Sequence, residues 1–313
     1  MTKKIATREA YGEALKELGK NNKDIVVLDA DLSKSTKTAK FKEEYPERFI
    51  NVGIAEQNLI GTAAGLATAG KIPFASSFAM FATGRAFEII RNSVAYPKLN
   101  VKIAATHAGI TVGEDGASHQ ALEDISIMRT IPNMVVINPA DAVEAKEAVL
   151  KAAEYNGPVY IRLGRSKVPV IHDENNYEFE IGKGILLEDG KDATIIATGV
   201  MVAEALEARN KLAEEGIDVR VIDIHTIKPI DKEIIINAAK ETGAIVTAEE
   251  HNIIGGLGSA VAEVLAENQP VPMERVGVKD VFGQSGKGDE LLEVYGLTAE
   301  KLVKAVKNVI KRK

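Results

Sequence analysis

Cysteine is absent from all 313 residues. That excludes a disulfide framework, thiolate metal sites and a cysteine nucleophile, and it fits a cytoplasmic protein. Long apolar runs are also lacking: none reaches the roughly 18 residues a membrane span requires, so no membrane partner is expected. The opening Met-Thr-Lys-Lys-Ile-Ala-Thr-Arg-Glu carries two lysines but neither the apolar stretch nor the small-residue cleavage site of a secretory signal. Positive charge is not in excess. The net charge of -6 argues against a nucleic-acid partner, which calls for a basic face. An anionic small substrate would then need arginines and histidines focused in one cleft.

Several chemical motifs are missing as well. There is no H-E-x-x-H, EF-hand loop or G-x-S-x-G, which removes the reactions those patterns carry. Residues 65–71 fit the first seven positions of a phosphate-binding loop. The eighth is Ile72, without a hydroxyl for Mg²⁺, and the segment ends a helix instead of linking a strand to one. Gly255-Gly-Leu-Gly258 lacks dinucleotide spacing and reads as a turn opening a helix. No tandem repeat, coiled coil or low-complexity segment is present.

What is present is an alternation of apolar β-rich runs with longer helical patterns. Strands are predicted at 24–30, 101–106, 134–138 and 159–163, and helices at 8–20, 56–69, 84–94, 119–129 and 141–154. Residues 166–192 interrupt this with Pro169, the polar run from His172 to Tyr177, and Gly182, Gly184 and Gly190. That segment reads as a linker with a short strand or hairpin. The alternation then resumes with strands at 193–197, 219–224 and 244–248 and helices at 202–215, 258–267 and 298–310. The expectation is an α/β chain of two doubly wound domains with mostly parallel sheets, 1–185 and 186–313.

Two stretches carry chemistry. Glu56, in Gly53-Ile-Ala-Glu-Gln-Asn58, is the only acid between Arg48 and Arg85. A carboxyl among small and apolar residues keeps its proton unless something compensates, whereas a glutamate at an exposed helix start would be ordinary. The second stretch runs from Thr106-His107 through Gly113-Glu-Asp-Gly116 to His119-Gln120. It reads as a glycine-rich loop leaving a strand and reaching a helix at His119, where parallel sheets place ligands. The two histidines lie twelve residues apart, which suits no common zinc motif but suits proton transfer near neutral pH.

These segments, in this order, resemble the transketolase signatures G-I-A-E-Q-N, T-H and G-E-D-G-x-x-H-Q. Ala6-Thr-Arg8, Ala30-Asp-Leu32, Phe78-x-x-Phe81 and Ile161-Arg-Leu-Gly-Arg165 add to the resemblance. So do residues 192–199 and Phe282-Gly-Gln-Ser-Gly286, which resemble the family's C-terminal domain. The resemblance implies a pyrimidine-binding fold followed by that domain, with thiamine diphosphate as cofactor.

Carried over by residue, Glu56 matches the glutamate that bonds the cofactor's aminopyrimidine and favours the imino form that generates the ylide. Phe78 and Phe81 match aromatics packing on that ring, and Asp31 and Ile54 match residues lining the same region. His119 matches a histidine assisting proton transfer at the sugar hydroxyls, and Asp115 one that bonds a hydroxyl. Arg8, Ser35, His107 and Arg165 match the group gripping the sugar phosphate, with two arginines and a histidine supplying positive field. His107 is also expected among the catalytic residues. A third aromatic of the family is Gly84 here, and an aspartate often following the first histidine is Ala108.

The family's diphosphate-binding domain is marked by G-D-G, which this chain lacks. No metal ligand is therefore expected in this chain. The resemblance implies a separate N-terminal subunit holding Mg²⁺ and the diphosphate, in a dimer of heterodimers, with sugar phosphates as substrates. Deoxyxylulose-phosphate synthase is similar but commonly has G-A-D-G. The β subunit of 2-oxo-acid dehydrogenases shares the layout but usually lacks the histidine loop. A non-catalytic regulatory subunit would have no need of Glu56, His107, Asp115 and His119.

Overall fold

A computed structural model describes residues 3–313. In chain order its strands are β1 (Lys4–Ala6), β2 (Ile25–Asp29), β3 (Phe49–Asn51), β4 (Ile72–Ser76), β5 (Lys102–Ala105), β6 (Val135–Ile137) and β7 (Val159–Arg162). There follow β8 (Lys167–Pro169), β9 (Ile185–Glu188), β10 (Ala193–Ala197), β11 (Val219–Asp223), β12 (Thr226–Lys228), β13 (Ile245–Asn252) and β14 (Met273–Val278).

The larger sheet has the order β12-β6-β7-β5-β4-β2-β3 and the smaller one β14-β13-β10-β11-β9. Within these two sheets all pairings are parallel except β12 on β6 and β9 on β11, and β1 with β8 forms a separate antiparallel pair. Strands such as β2, β7, β10 and β11 are buried along their whole length. Helices on both faces leave no wet side for alternation, which is why these strands read as unbroken apolar runs. The α/β class with two mostly parallel sheets is the observed one. No described helix is long and apolar enough to cross a membrane.

Several elements depart from the sequence reading. The helix expected from His119 begins only at Asp124, and residues 110–115 form a tight 3₁₀ segment instead. Two positive-φ glycines inside the loop, Gly113 and Gly116, break the helical path before it can propagate. The strand predicted at 244–248 continues to Asn252. His251 is therefore a fully buried strand residue. Strands β3, β4, β12 and β14 and the helix Lys232–Thr242 were not anticipated. β4 carries Pro73, which argues against an internal strand yet sits between β2 and β5.

The two sheets share more than a linker. β12 lies beyond residue 186 but pairs with β6 of the first sheet. Between the sheets, Arg162 of β7 is buried and donates its Nε to Asp124 Oδ2 at 2.8 Å. Its Nη2 donates to the carbonyl of Glu250 on β13 at 2.9 Å, and Tyr160 donates to the same Asp124 oxygen at 2.6 Å. Removing one partner from a buried pair leaves an uncompensated charge. Asp124→Ala should therefore lower unfolding free energy by about 3–5 kcal/mol, read from the urea midpoint. Asp124→Leu combined with Arg162→Met should recover most of that loss. A single-variant cost below about 1 kcal/mol would show that the pair does not hold the sheets together.

Candidate active site

The carboxyl ends of β2, β4, β5 and β7 face one cleft. At the end of β2, buried Asp29 accepts hydrogen bonds from Thr36 Oγ1 (2.7 Å) and Thr38 Oγ1 (2.9 Å). This closes a turn that turns the Ser35 carbonyl toward the helix Thr7–Asn21. Arg8, in the first turn of that helix, donates to Ser35 O at 2.9 Å and lies 3.1 Å from His107 Nε2. Thr7 Oγ1 accepts from Gly164 N at 2.8 Å, which ties the end of β7, and with it Arg165, to the same helix start.

His107 follows β5 with φ +58°, a left-handed backbone that a histidine adopts at a steric cost. Its ring stacks on Phe78 at 3.8 Å between centroids. A guanidinium can only donate, so Nε2 accepts from Arg8 and the ring proton resides on Nδ1, 2.8 Å from Thr106 Oγ1. Burial first, then the charges of Arg8 and Arg165, pushes His107 down to about 3. The expected field of two arginines and a histidine is thus supplied by the arginines, with His107 as a neutral spacer. Arg165 itself donates to Val112 O and to Glu114 Oε2, the latter at 2.9 Å.

Glu56 opens the helix Glu56–Thr68 and is only 5% exposed, not an exposed helix-start acid. Arg85 compensates it, donating to both carboxylate oxygens at 3.1 and 3.2 Å. The same guanidinium lies 4.4 Å over the Phe81 ring. Phe81 is half-buried and nearly parallel to buried Phe78 at 6.0 Å. His119 meets Phe81 edge-on at 5.1 Å, with Ser118 Oγ 3.0 Å from its Nδ1. An unbroken chain of contacts thus runs from Glu56 through Arg85, Phe81, Phe78 and His107 to Arg8. Asp31 is exposed at φ +66° and accepts from Asn51 Nδ2 at 3.0 Å. Ile54 is 78% exposed, and Asp115 is exposed in the loop. These three stand outside the contact chain.

The loop between the two histidines is braced by the second half of the chain. Thr111 N donates to Glu250 Oε1 at 2.6 Å, and Gln120 Nε2 to Gln284 O at 2.9 Å. Ser285 Oγ donates to Glu114 O at 2.6 Å. Gly109 has φ +82°, and a Cβ there would sit 2.3 Å from the Glu250 carboxyl carbon, so only glycine lets the carboxylate in. Sequence reasoning missed Arg85, Glu250, Arg162 and Asp124. Arg85 carried a signal, one helical turn after Phe81; Glu250 carried another, a charge extending an apolar strand.

A buried carboxyl beside a half-exposed aromatic wall suits a heteroaromatic ring bearing N–H groups. Arg85 takes one lone pair from each Glu56 oxygen and leaves others free. Comparison with known proteins shows the family. Residues 3–170 match the family described as transketolase, pyrimidine binding domain, and residues 182–302 match transketolase, C-terminal domain. The chain is 60% identical over 307 residues to a putative transketolase C-terminal section from Methanocaldococcus jannaschii, covering 97% of this chain and 96% of the relative. It is 48% identical over 306 residues to a 6-deoxy-6-sulfo-D-fructose transketolase subunit from Clostridium sp. (strain MSTE9), covering 98% and 95%. Among solved structures, a split gene transketolase described as an inactive β4 tetramer superposes with TM-score 0.93 and 62% identity over 99% of both chains.

The neutral state of His107 is testable. Imidazole NMR should find it uncharged with its proton on Nδ1 from about pH 8 to about pH 5, since its ordinary value is about 6.5 and its folded one about 3. Between those values the unfolded chain binds a proton that the folded chain does not. Folding should therefore weaken as pH falls through that window. Protonation of His107 with a midpoint near 6.5 would contradict the assignment.

Proposed function

The chain belongs to the transketolase family, and from that premise we propose that it is the C-terminal subunit of a split enzyme moving a two-carbon ketol unit between sugar phosphates, such as xylulose 5-phosphate and ribose 5-phosphate. The contact chain from Glu56 to Arg8 carries this reading. It joins a buried carboxyl suited to a cofactor ring with a guanidinium suited to a substrate anion, both within one cleft.

Thiamine diphosphate, when bound, supplies the carbon nucleophile that takes up the ketol unit. Glu56 would hold a hydrogen bond to its pyrimidine ring, with Phe81 as the wall and Phe78 as its backing. Asp31 and Ile54 would line the outer side of the same ring. His119, edge-on to Phe81, would move a proton at a sugar hydroxyl, and Asp115, exposed in the same loop, would accept from another. Arg8 and Arg165 would take the terminal anion, with Ser35 and His107 fixing the Arg8 guanidinium. Glu114, now paired with Arg165, would give way to the phosphate, a stronger partner for a guanidinium.

In this reading Mg²⁺ and the diphosphate are held by a separate N-terminal subunit, and the assembly is a dimer of heterodimers. Support comes from the section and subunit status of the relatives and from large apolar side chains left open to solvent. Ile54 is 78% exposed, Tyr96 84% and Phe282 82%, as expected of surface awaiting a partner. That a relative is named a 6-deoxy-6-sulfo-D-fructose transketolase subunit is consistent with a sugar bearing a different anion, whose charge Arg8 and Arg165 would also recognise.

Two outcomes test the proposal. With thiamine diphosphate and Mg²⁺, the purified chain alone should give no ketol transfer, and its complex with a co-expressed N-terminal subunit should be active. Turnover by the chain alone would overturn the split assignment. In the complex, Glu56→Ala should lower turnover by roughly 100-fold or more while assembly by light scattering stays unchanged. Full activity of that variant would remove Glu56 from the cofactor role.

A further inference from the structure

Away from the cleft, four ionisable side chains from three parts of the chain converge where the sheets meet. Asp141 and Glu144 stand at the start of the helix Ala142–Glu154, His172 lies in the connecting segment, and Asp223 ends β11. The three carboxylates are fully buried, and the His172 side chain is 5% exposed. With all three carboxyls ionised, even a charged imidazole would leave this cluster two negative charges in excess, in surroundings where an unpaired charge is costly.

The partners are unevenly distributed. Asp141 accepts from the backbone N–H groups of Glu144, Ile171 and His172 at 2.7–2.9 Å. Glu144 accepts from Ala140 N at 2.6 Å and from the Tyr177 hydroxyl. Asp223 is different: neither of its oxygens has a hydrogen-bond partner among the described residues, and neither ring nitrogen of His172 has one. His172 Nδ1 is 3.2 Å from Asp141 Oδ2, near enough for attraction but out of line for a hydrogen bond. His172 Nε2 points the other way, 3.7 Å from Asp223 Oδ2. One donor atom each from Glu144, His172 and Asp223 lies within 4.8 Å of the other two.

We infer that Glu144, His172 and Asp223 form a structural site for a divalent transition-metal ion, joining the first domain, the connecting segment and the second domain. The donor set is one imidazole nitrogen and carboxylate oxygens, which zinc accepts in a closed four-coordinate arrangement. Asp223, free at both oxygens, can supply two of the four positions. Asp141 Oδ2, 3.2 Å from Nδ1, would become the carboxylate that orients a ligating histidine once the ring turns toward it, and Ala140 N and the Tyr177 hydroxyl already orient Glu144. Mg²⁺ fits poorly, because it demands octahedral oxygen and keeps several waters, whereas this set includes an imidazole nitrogen. The ion would offset the surplus negative charge and fix the relative placement of the sheets. This site is separate from the cofactor cleft and does not depend on the proposed reaction.

The test uses the full chain, stripped with chelator and dialysed against Zn²⁺ without cofactor or partner. Elemental analysis should find about one Zn²⁺ per chain, and melting temperature should rise by roughly 5 °C at saturating metal. Asp223→Asn, which keeps shape and removes charge, should weaken binding by at least about 100-fold, and Glu144→Gln by about 10-fold or more. Visible absorption of the Co²⁺-loaded chain should report a low-symmetry nitrogen–oxygen site that Asp223→Asn abolishes. Zn²⁺ uptake equal in wild type and both variants would overturn the site. So would an absence of uptake in which metal-free Asp223→Asn melts higher than wild type, because the cluster would then be a set of carboxyls sharing protons.

Discussion

Arg162 needs partners wherever the chain folds around it, because a guanidinium does not lose its charge inside a protein. It has found them on both sides of the domain boundary, Asp124 from the first half and the Glu250 carbonyl from the second. Much of the remaining architecture follows from that constraint. Asp124, which reaches Arg162, is the first residue of its helix, and residues 116–123 before it form neither helix nor strand. Glu250 can reach it only if β13 runs past the point where its apolar pattern ends. The same Glu250 then has its carboxylate free to hold Thr111. One buried cation therefore sets both the contact between domains and the position of the loop that carries His107 and His119.

The cleft itself is an exercise in sharing cations. Arg8 spends its donors on a carbonyl and a neutral imidazole, Arg165 on a loop carbonyl and an exposed acid, and Arg85 on a buried acid and an aromatic face. Each is held in place without being neutralised by a fully buried carboxylate except Arg85. An overall acidic protein can in this way present concentrated positive potential at one spot.

Much of this was legible in the chain of residues. Buried parallel strands announce themselves as apolar runs, and the helices between them have the right lengths, so the α/β class was accessible. The isolated acid Glu56 and the histidine loop stood out because polar groups are sparse or glycine-rich there. Other features were hidden for physical reasons. β4 contains Pro73, so local propensity argued against it while its neighbours β2 and β5 enforced it. His172 lies in a run of polar residues and reads as solvated, but its surroundings come from helix Ala142–Glu154 and β11, far away in sequence. Arg85 became meaningful only once Glu56 was known to be buried. Information of that kind resides in pairs of distant residues and no local pattern contains it.

β12 has a consequence for how the chain can be divided. Composition places a boundary near residue 185, yet this strand crosses it backwards and covers the outer edge of β6. A fragment cut at the linker would present that edge, with its row of unpaired amides and carbonyls, as a template for other chains. The two halves are thus separate as folds but not as pieces: the first covers this edge of its sheet only with a strand from the second.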